Sequence, residues 1–265
     1  MTVETIAEPQ RVGLLAAIKH SGTLTWRNLL KVRNSPEQLV DVIIQPIVFV
    51  IIFAFLFGGA ISGDWRAYLQ FLVPGLMVQT VLFATMGIGV ALNADANKGI
   101  VDRFRSLPIA RWAPLAGAVF GDAGRYVISM VALVGFGSIL GFRFQNGLLA
   151  GLAACLVTLG FALALCCIPA TVGLTVKNPQ TVQGIGFIVM FPLTIISNVL
   201  VKTETLPTWL QAWVKVSPVT QVVNATRGLM LGGPVAEPVL YTALWGVGIV
   251  IVFAPLAVRA YFRRT

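Results

Sequence analysis

The chain has 265 residues, of which 57% are hydrophobic and only 11% are charged, and its formal net charge is +9. Soluble domains carry roughly 25% charged residues, so this composition excludes an ordinary water-soluble globular protein. The basic residues lie beside apolar stretches instead of forming one stripe, which argues against nucleic-acid binding. We therefore expect an all-α integral membrane protein with one domain over residues 1–265.

The N-terminal segment, residues 1–38, is expected to be cytoplasmic and interfacial. Between residues 13 and 34, apolar side chains recur at near-helical spacing, with Trp26 among them and with Arg27 and Lys31 on other faces. A basic amphipathic helix of this kind lies along a membrane surface, with its tryptophan at headgroup depth. We predict such an interfacial helix here.

Six long apolar stretches follow between residues 39 and 258. A helix rises about 1.5 Å per residue, so roughly 17 to 25 residues cross the hydrocarbon core of a bilayer. These stretches lack the alternating polar face of a β-barrel strand, which favours helices. The predicted spans are 39–57, 69–92, 115–141, 148–176, 183–201 and 239–258.

The basic residues indicate how these spans are oriented. With both termini in the cytoplasm, thirteen basic residues lie on the inner side, including the tail 259–265, and five lie outside. Cytoplasmic segments near spans carry an excess of Lys and Arg. We therefore predict a multi-pass protein of the cytoplasmic (inner) membrane, N-in and C-in.

The inner loop 93–114 has a pattern of its own. Asn93 and Asp95 are typical helix N-caps, Ile100, Phe104 and Leu107 then recur at helical spacing, and Pro108 ends the pattern. A helix of about three turns is marginal alone in water, and a solvated loop needs no apolar stripe. The pattern predicts a short cytoplasmic helix that docks on a partner surface.

Two charged residues lie inside the third span. Asp122 and Arg125 are about ten residues into it, at a spacing of i, i+3. Charges at that depth are costly unless they are paired or face water. They form either a structural ion pair between packed helices or a polar lining of a transport path.

The outer segment 202–237 is too long and too apolar for a plain linker. It contains Trp209 and Trp213, a Ser217-Pro218 break and a second apolar stretch with Arg227. We predict one or two short helices that dip into the outer leaflet.

The sequence lacks the motifs of the common catalytic classes. It has no Gly-x-x-x-x-Gly-Lys-Ser/Thr phosphate loop, no His-Glu-x-x-His and no Gly-x-Ser-x-Gly. We expect no cofactor in this chain and no enzymatic activity of its own.

The run from Gly99 to Arg111, GIVDRFRSLPIAR, resembles the signature of ABC-2 type transporter permeases. Within that class it is most similar to the daunorubicin-resistance exporter permeases of actinobacteria. The Asp122 and Arg125 pair, Leu206-Pro207 and the stretch from Ala225 to Leu229 also match. The resemblance covers the chain from about Gly13 to its end.

The resemblance implies a complete exporter of two such permeases, identical or homologous, and two nucleotide-binding ATPase subunits that hold MgATP. It implies that the inner loop forms a coupling helix docked on the ATPase, and that the outer segment forms re-entrant helices. The coupling residues that it implies are Asp95, Lys98, Gly99, Ile100, Asp102, Arg103, Phe104, Arg105 and Leu107.

The expected cargo is amphipathic, such as a drug, an antibiotic or a lipid, because the spans offer aliphatic and aromatic walls. One alternative is an ABC-2 permease for a lipid-linked polysaccharide. Another is a carrier driven by an ion gradient, which the scarcity of intramembrane carboxylates opposes. A membrane scaffold or enzyme subunit is a third.

Overall fold

The computed structural model describes residues 36–100, 113–201 and 203–263, and over these residues it contains helices and no β-strand. A π-helical turn (Phe53–Phe57) and a 3-10 turn (Thr203–Thr205) accompany the α-helices. In the described ranges the α-helices are α1 (Pro36–Ile52), α2 (Gly58–Ser62), α3 (Trp65–Ala84), α4 (Met86–Asn97), α5 (Ala113–Leu140), α6 (Gly147–Leu165), α7 (Cys167–Thr175), α8 (Pro179–Ile195), α9 (Thr208–Val216), α10 (Pro218–Leu231) and α11 (Ala236–Arg263). The interfacial helix predicted over 13–34, with Trp26, Arg27 and Lys31, lies outside the described residues.

Five helical stretches are long and apolar enough to cross a membrane, which makes this a multi-pass helical membrane protein. They correspond to the first, second, third, fourth and sixth predicted spans. Their bounds are Val42–Ile61, Trp65–Asn97, Pro114–Leu140, Gly147–Thr175 and Ala236–Tyr261.

The fifth predicted span, 183–201, differs from its prediction. The helix at this place, α8, begins earlier and has 17 residues, and the chain from Ile196 to Leu200 forms turns. Ile196 leaves the helical conformation with a ψ of 44°. Beyond it, the carbonyls of Asn198 and Val199 accept hydrogen bonds from another segment of the chain. These carbonyls therefore have partners outside a helical ladder, and the helix can end inside the apolar stretch.

Two of the crossing stretches contain a local break. The first lies at Thr85 between α3 and α4, where the hydroxyl donates to the carbonyl of Leu82 at 2.6 Å. The second lies at Cys166 between α6 and α7. Pro169 follows three residues later and clashes with a helical carbonyl four residues before it, that of Leu165. The proline thus explains the second break.

The stretch formed by α3 and α4 is the centre of the packing. Of its 18 most apolar consecutive residues 72% are buried, whereas in α11 the share is 17%. Helix α11 therefore faces outward along most of its length. Asp64 starts α3 by accepting hydrogen bonds from the backbone amides of Arg66 and Ala67. Helices α1, α5 and α10 pack around α3, and α7 and α8 pack around α4.

A close backbone approach joins α3 to the turns that follow α8. A Cβ atom on Gly75 would lie 2.5 Å from the Val199 carbonyl oxygen and 3.1 Å from the Arg227 Nη2. The carbonyl is main chain and cannot rotate away. Only a glycine fits here, because small residues let membrane helices approach this closely.

We expect Gly75→Ala to lower the stability of the protein by about 2 kcal/mol, because the added methyl overpacks a rigid contact. Thermal unfolding of the purified protein in detergent measures the change. Gly135→Ala is the matched control, since a Cβ at this α5 glycine meets nothing within 4 Å. Equal melting temperatures for the two variants would contradict the close approach.

Candidate functional site

The C-terminal end of α4 carries the first of the predicted coupling residues. Asn93 and Asp95 do not cap a new helix, because α4 continues through them to Asn97. The helix stops at Lys98 and Gly99, whose amides donate to the carbonyls of Ala94 and Ala96. Gly99 has a φ of 71°, the left-handed conformation in which glycine ends helices.

The coupling helix predicted from Asp95 to Leu107 is therefore wrong at its start. Asp95 belongs to α4, Lys98 and Gly99 form the turn, and Ile100 is helical again. The other predicted coupling residues, Asp102, Arg103, Phe104, Arg105 and Leu107, lie outside the described residues.

Two asparagines fasten this end of α4 to the connection between α7 and α8. Asn93 is fully buried, and its Nδ2 donates to the carbonyls of Gly173 at 2.8 Å and Val176 at 2.5 Å. Asn97 lies one turn further, and its Nδ2 donates to Asn93 Oδ1 at 3.1 Å and to the Lys177 carbonyl at 3.0 Å. We call Asn93 and Asn97 the asparagine clamp.

Above the clamp, α4 and α7 touch through their backbones. A Cβ on Gly173 would overlap the backbone of Gly89, and a Cβ on Gly89 would overlap the carbonyl of Pro169. No side chain separates the two helices here. The contact and the clamp together hold α4 and α7 in one register.

The charged pair in α5 is an ion pair in the structure. Arg125 Nη1 lies 3.3 Å from Asp122 Oδ1, and the two side chains are 19% and 14% exposed. Tyr126 Oη donates to Asp122 Oδ2 at 3.3 Å. Because its proton is used there, the hydroxyl accepts from the Cys166 thiol, whose Sγ is 3.0 Å away. The network thus runs from α5 to the break between α6 and α7.

The guanidinium of Arg125 also packs against α4. A Cβ on Gly87 would lie 2.8 Å from Arg125 Nη1, so the absence of a side chain on α4 makes room for the cation. Arg125 Nε is buried and has no hydrogen-bond partner in the structure. The pair is thus packed between α5 and α4, close to the break at Thr85.

The outer segment contains the two short helices α9 and α10. Trp209 and Trp213 are on α9 and are 74% and 56% exposed, so this helix presents its aromatic side chains outward. Helix α10 instead packs inside: Val219, Val222 and Val223 belong to a buried cluster with residues of α3, α6, α8 and α11. Thr226 also hydrogen-bonds Thr158 in α6 at 3.0 Å.

Arg227 fixes α10 to two other parts of the chain. Its Nε and Nη2 donate to the Phe71 carbonyl at 3.3 and 3.1 Å, and Nη2 also reaches the carbonyls of Asn198 and Val199. The guanidinium carbon lies 3.7 Å from the centre of the Phe71 ring, a cation–π distance. Tyr68 adds a hydrogen bond to the Leu200 carbonyl at 2.8 Å.

A cavity and a groove lie against α11. A cavity of about 600 Å³ lies between α9, α10 and the start of α11, and polar side chains line much of it: Thr203, Lys215, Thr220, Gln221, Asn224, Glu237 and Tyr241. A groove of about 430 Å³ between α6 and α11 is apolar, with Gly160 and Gly246 on its walls. No group of His, Cys, Asp or Glu that could hold a metal ion occurs in the described part of the chain.

The fold is that of a helical multi-pass membrane protein, and the sites described above are contacts between its helices. Residues 20–231 match the family model described as ABC-2 type transporter. The chain belongs to this family of transporter permeases.

Several transport permeases are similar along most of the chain. The daunorubicin resistance ABC transporter permease protein DrrB1 of Streptomyces coeruleorubidus is 40% identical over 91% of this chain and 86% of its own length. The probable doxorubicin resistance ABC transporter permease protein DrrC of Mycobacterium tuberculosis is 27% identical over 89% of this chain and 87% of its own length. A putative transport permease, ycf38, of Cyanophora paradoxa is 25% identical over 78% of this chain and 72% of its own length.

Removal of one charge of the α5 pair tests its structural role. We expect Asp122→Ala to cost about 3 kcal/mol, because it leaves a largely buried guanidinium without its carboxylate. The double variant Asp122→Ala with Arg125→Ala should lose less than the sum of the two single losses, as measured by unfolding in detergent. Strictly additive losses would contradict an energetic coupling between the two side chains. A double variant with ordinary stability but without transport would favour a role in the transport path.

Proposed function

We propose that this chain is the membrane-spanning subunit of an ATP-driven exporter in the cytoplasmic membrane. It moves an amphipathic drug, antibiotic or lipid outward, and ATP is hydrolysed on a separate nucleotide-binding subunit that holds MgATP. Two copies of that ATPase and a second permease, identical or homologous, complete the transporter. This chain itself holds no cofactor and catalyses no reaction.

One observation carries the proposal: the 40% identity, over nearly the whole chain, to a permease named for daunorubicin resistance. The geometry of α4 supports it. The central and most buried stretch of the subunit ends in a tight turn at Gly99, directly before the segment proposed to meet the ATPase. A force applied there acts on the helix around which the other helices pack.

The exposed surfaces support an amphipathic cargo and a second permease. Large apolar side chains on α8, among them Phe187, Ile188 and Phe191, are exposed in the single chain. Trp209 and Trp213 on α9 are exposed as well. Exposed apolar and aromatic side chains of this kind are ones that lipid, cargo or a second permease would cover. The cavity between α9, α10 and the start of α11 is lined largely by polar side chains. An amphipathic cargo would therefore find polar as well as apolar surfaces.

Six crossings and an N-in, C-in orientation belong to the proposal. Lys177, before α8, is bound to the inner end of α4 through Asn97, whereas Leu200, after α8, is bound to Tyr68 near the outer start of α3. The segment between them therefore connects the same two levels as the central stretch. Helix α8 rises about 25 Å, and the turns to Leu200 supply the remaining length.

Replacement of Phe104 and Arg105 by alanine tests the coupling. If the coupling segment docks on the ATPase, the double variant should bind the ATPase at least about tenfold more weakly, since aromatic and arginine side chains are enriched at protein interfaces. Co-purification and cargo-stimulated ATP hydrolysis measure this effect. Unchanged binding and hydrolysis in a correctly inserted variant would refute the proposal. Export that persists without the ATPase and stops when the proton gradient collapses would instead indicate a carrier driven by that gradient.

Labelling of cysteines from the two sides of the membrane tests the sixth crossing. We expect Glu204→Cys to react with an impermeant maleimide in intact cells, and Asn178→Cys to react only after permeabilisation. Both positions are exposed and flank the segment in question. Lys98→Cys is the inner control. Reaction of Glu204→Cys and Asn178→Cys from the same side would contradict the crossing.

A further inference from the structure

The asparagine clamp connects the end of α4, where force from the ATPase would enter, to α7, which is distant in sequence. Asn93 and Asn97 precede the coupling segment directly, and their amides hold carbonyls of residues 173 to 177. Those carbonyls belong to the last turn of α7 and to the linker that enters α8. The contact therefore joins helices separated by about eighty residues of chain.

The chemistry of the clamp suits a permanent connection. Both N–H groups of Asn93 point to main-chain carbonyls, and its Oδ1 accepts from Asn97, so the amide is used on both sides. Asn93 is fully buried, and a buried amide that loses its partners incurs the whole cost of desolvation. Three of the bonds end on backbone carbonyls, so no rotation of an acceptor side chain can release them.

The backbone contact between α4 and α7 next to the clamp prevents the two helices from moving relative to each other. Since Gly89 and Gly173 touch without an intervening side chain, α4 cannot slide past α7 without a clash. Packed interfaces of this kind transmit displacement because they do not deform continuously. A push on the inner end of α4 must therefore move α7 and the linker with it.

We propose that the asparagine clamp is the element that passes displacement from the coupling segment to α8, so that α4, α7 and the start of α8 move as one body. This inference rests on the proposed ATP-driven function. It makes Asn93 and Asn97 positioning residues for transport: they act through α8, which exposes most of its length on the surface available to a second permease.

Helix α8 itself supplies a readout that needs no cargo. Gln183 is exposed one turn after the start of α8, and a cysteine there can be labelled with a charged maleimide. The label is counted on the peptide that contains residue 183, so the native cysteines do not contribute. The complex of permease and ATPase is compared without nucleotide and with ATP plus vanadate.

We expect nucleotide to change the labelling rate at residue 183 by about fivefold in the otherwise native chain, the lower end of an allosteric coupling. Asn93→Leu with Asn97→Leu should abolish that change and leave ATPase binding and ATP hydrolysis within about twofold, because leucine keeps the γ-branched shape of asparagine without the amide. Asn97→Leu alone, at an exposed position, should reduce the change, and Asn97→Gln should restore it. Asn178→Leu is the matched control, because the Asn178 side chain makes no capping bond to α8.

The outcomes separate the two proposals. A permease that neither binds the ATPase nor stimulates it refutes the proposed function, and the inference with it. A functional complex refutes the clamp alone if residue 183 shows no response to nucleotide, or if the folded double variant keeps the full response. If the double variant does not purify as a folded protein, an unchanged response in Asn97→Leu refutes the clamp.

Discussion

Inside a lipid bilayer every peptide group must find its hydrogen-bond partner within the protein, and this constraint explains the polar side chains of this subunit. Helices interrupted within the membrane leave carbonyls without a helical partner. Arg227 donates to two such carbonyls after α8, and Asn93 donates to carbonyls at the end of α7. The interruptions that shape the subunit thus depend on a few long-range donors.

The crossing helices could be predicted from the sequence because their signal is local. Length and apolar composition located five of the six predicted spans to within a few residues, and the spacing of Asp122 and Arg125 indicated their pairing. The end of α8 was not predictable in this way. It depends on Arg227 and Gly75, which lie far from it in the sequence.

The start of the coupling segment was predicted wrongly for a different reason. An asparagine in a polar stretch is a good N-cap, and nothing local showed that Asn93 is buried against α7. The signal that could have placed the break was Gly99 directly after Lys98, a typical end of a helix. The family signature starts at Gly99 and continues to Arg111. The resemblance to the family and the end of α4 were therefore indicated by adjacent stretches of the chain.

The arrangement around Arg227 has an electrical consequence. An arginine keeps its charge in almost any environment, and among the described residues no carboxylate lies within ion-pair distance of this one. Its partners are carbonyl dipoles and an aromatic ring, which leave the positive charge of the guanidinium unneutralised. Carrying one such charge across 100 mV is worth about 2.3 kcal/mol. With the outer segment outside, as proposed, a potential that is negative inside pulls the Arg227 guanidinium towards the inner side of the membrane. Outward movement of α10 would therefore work against the voltage of an energised membrane.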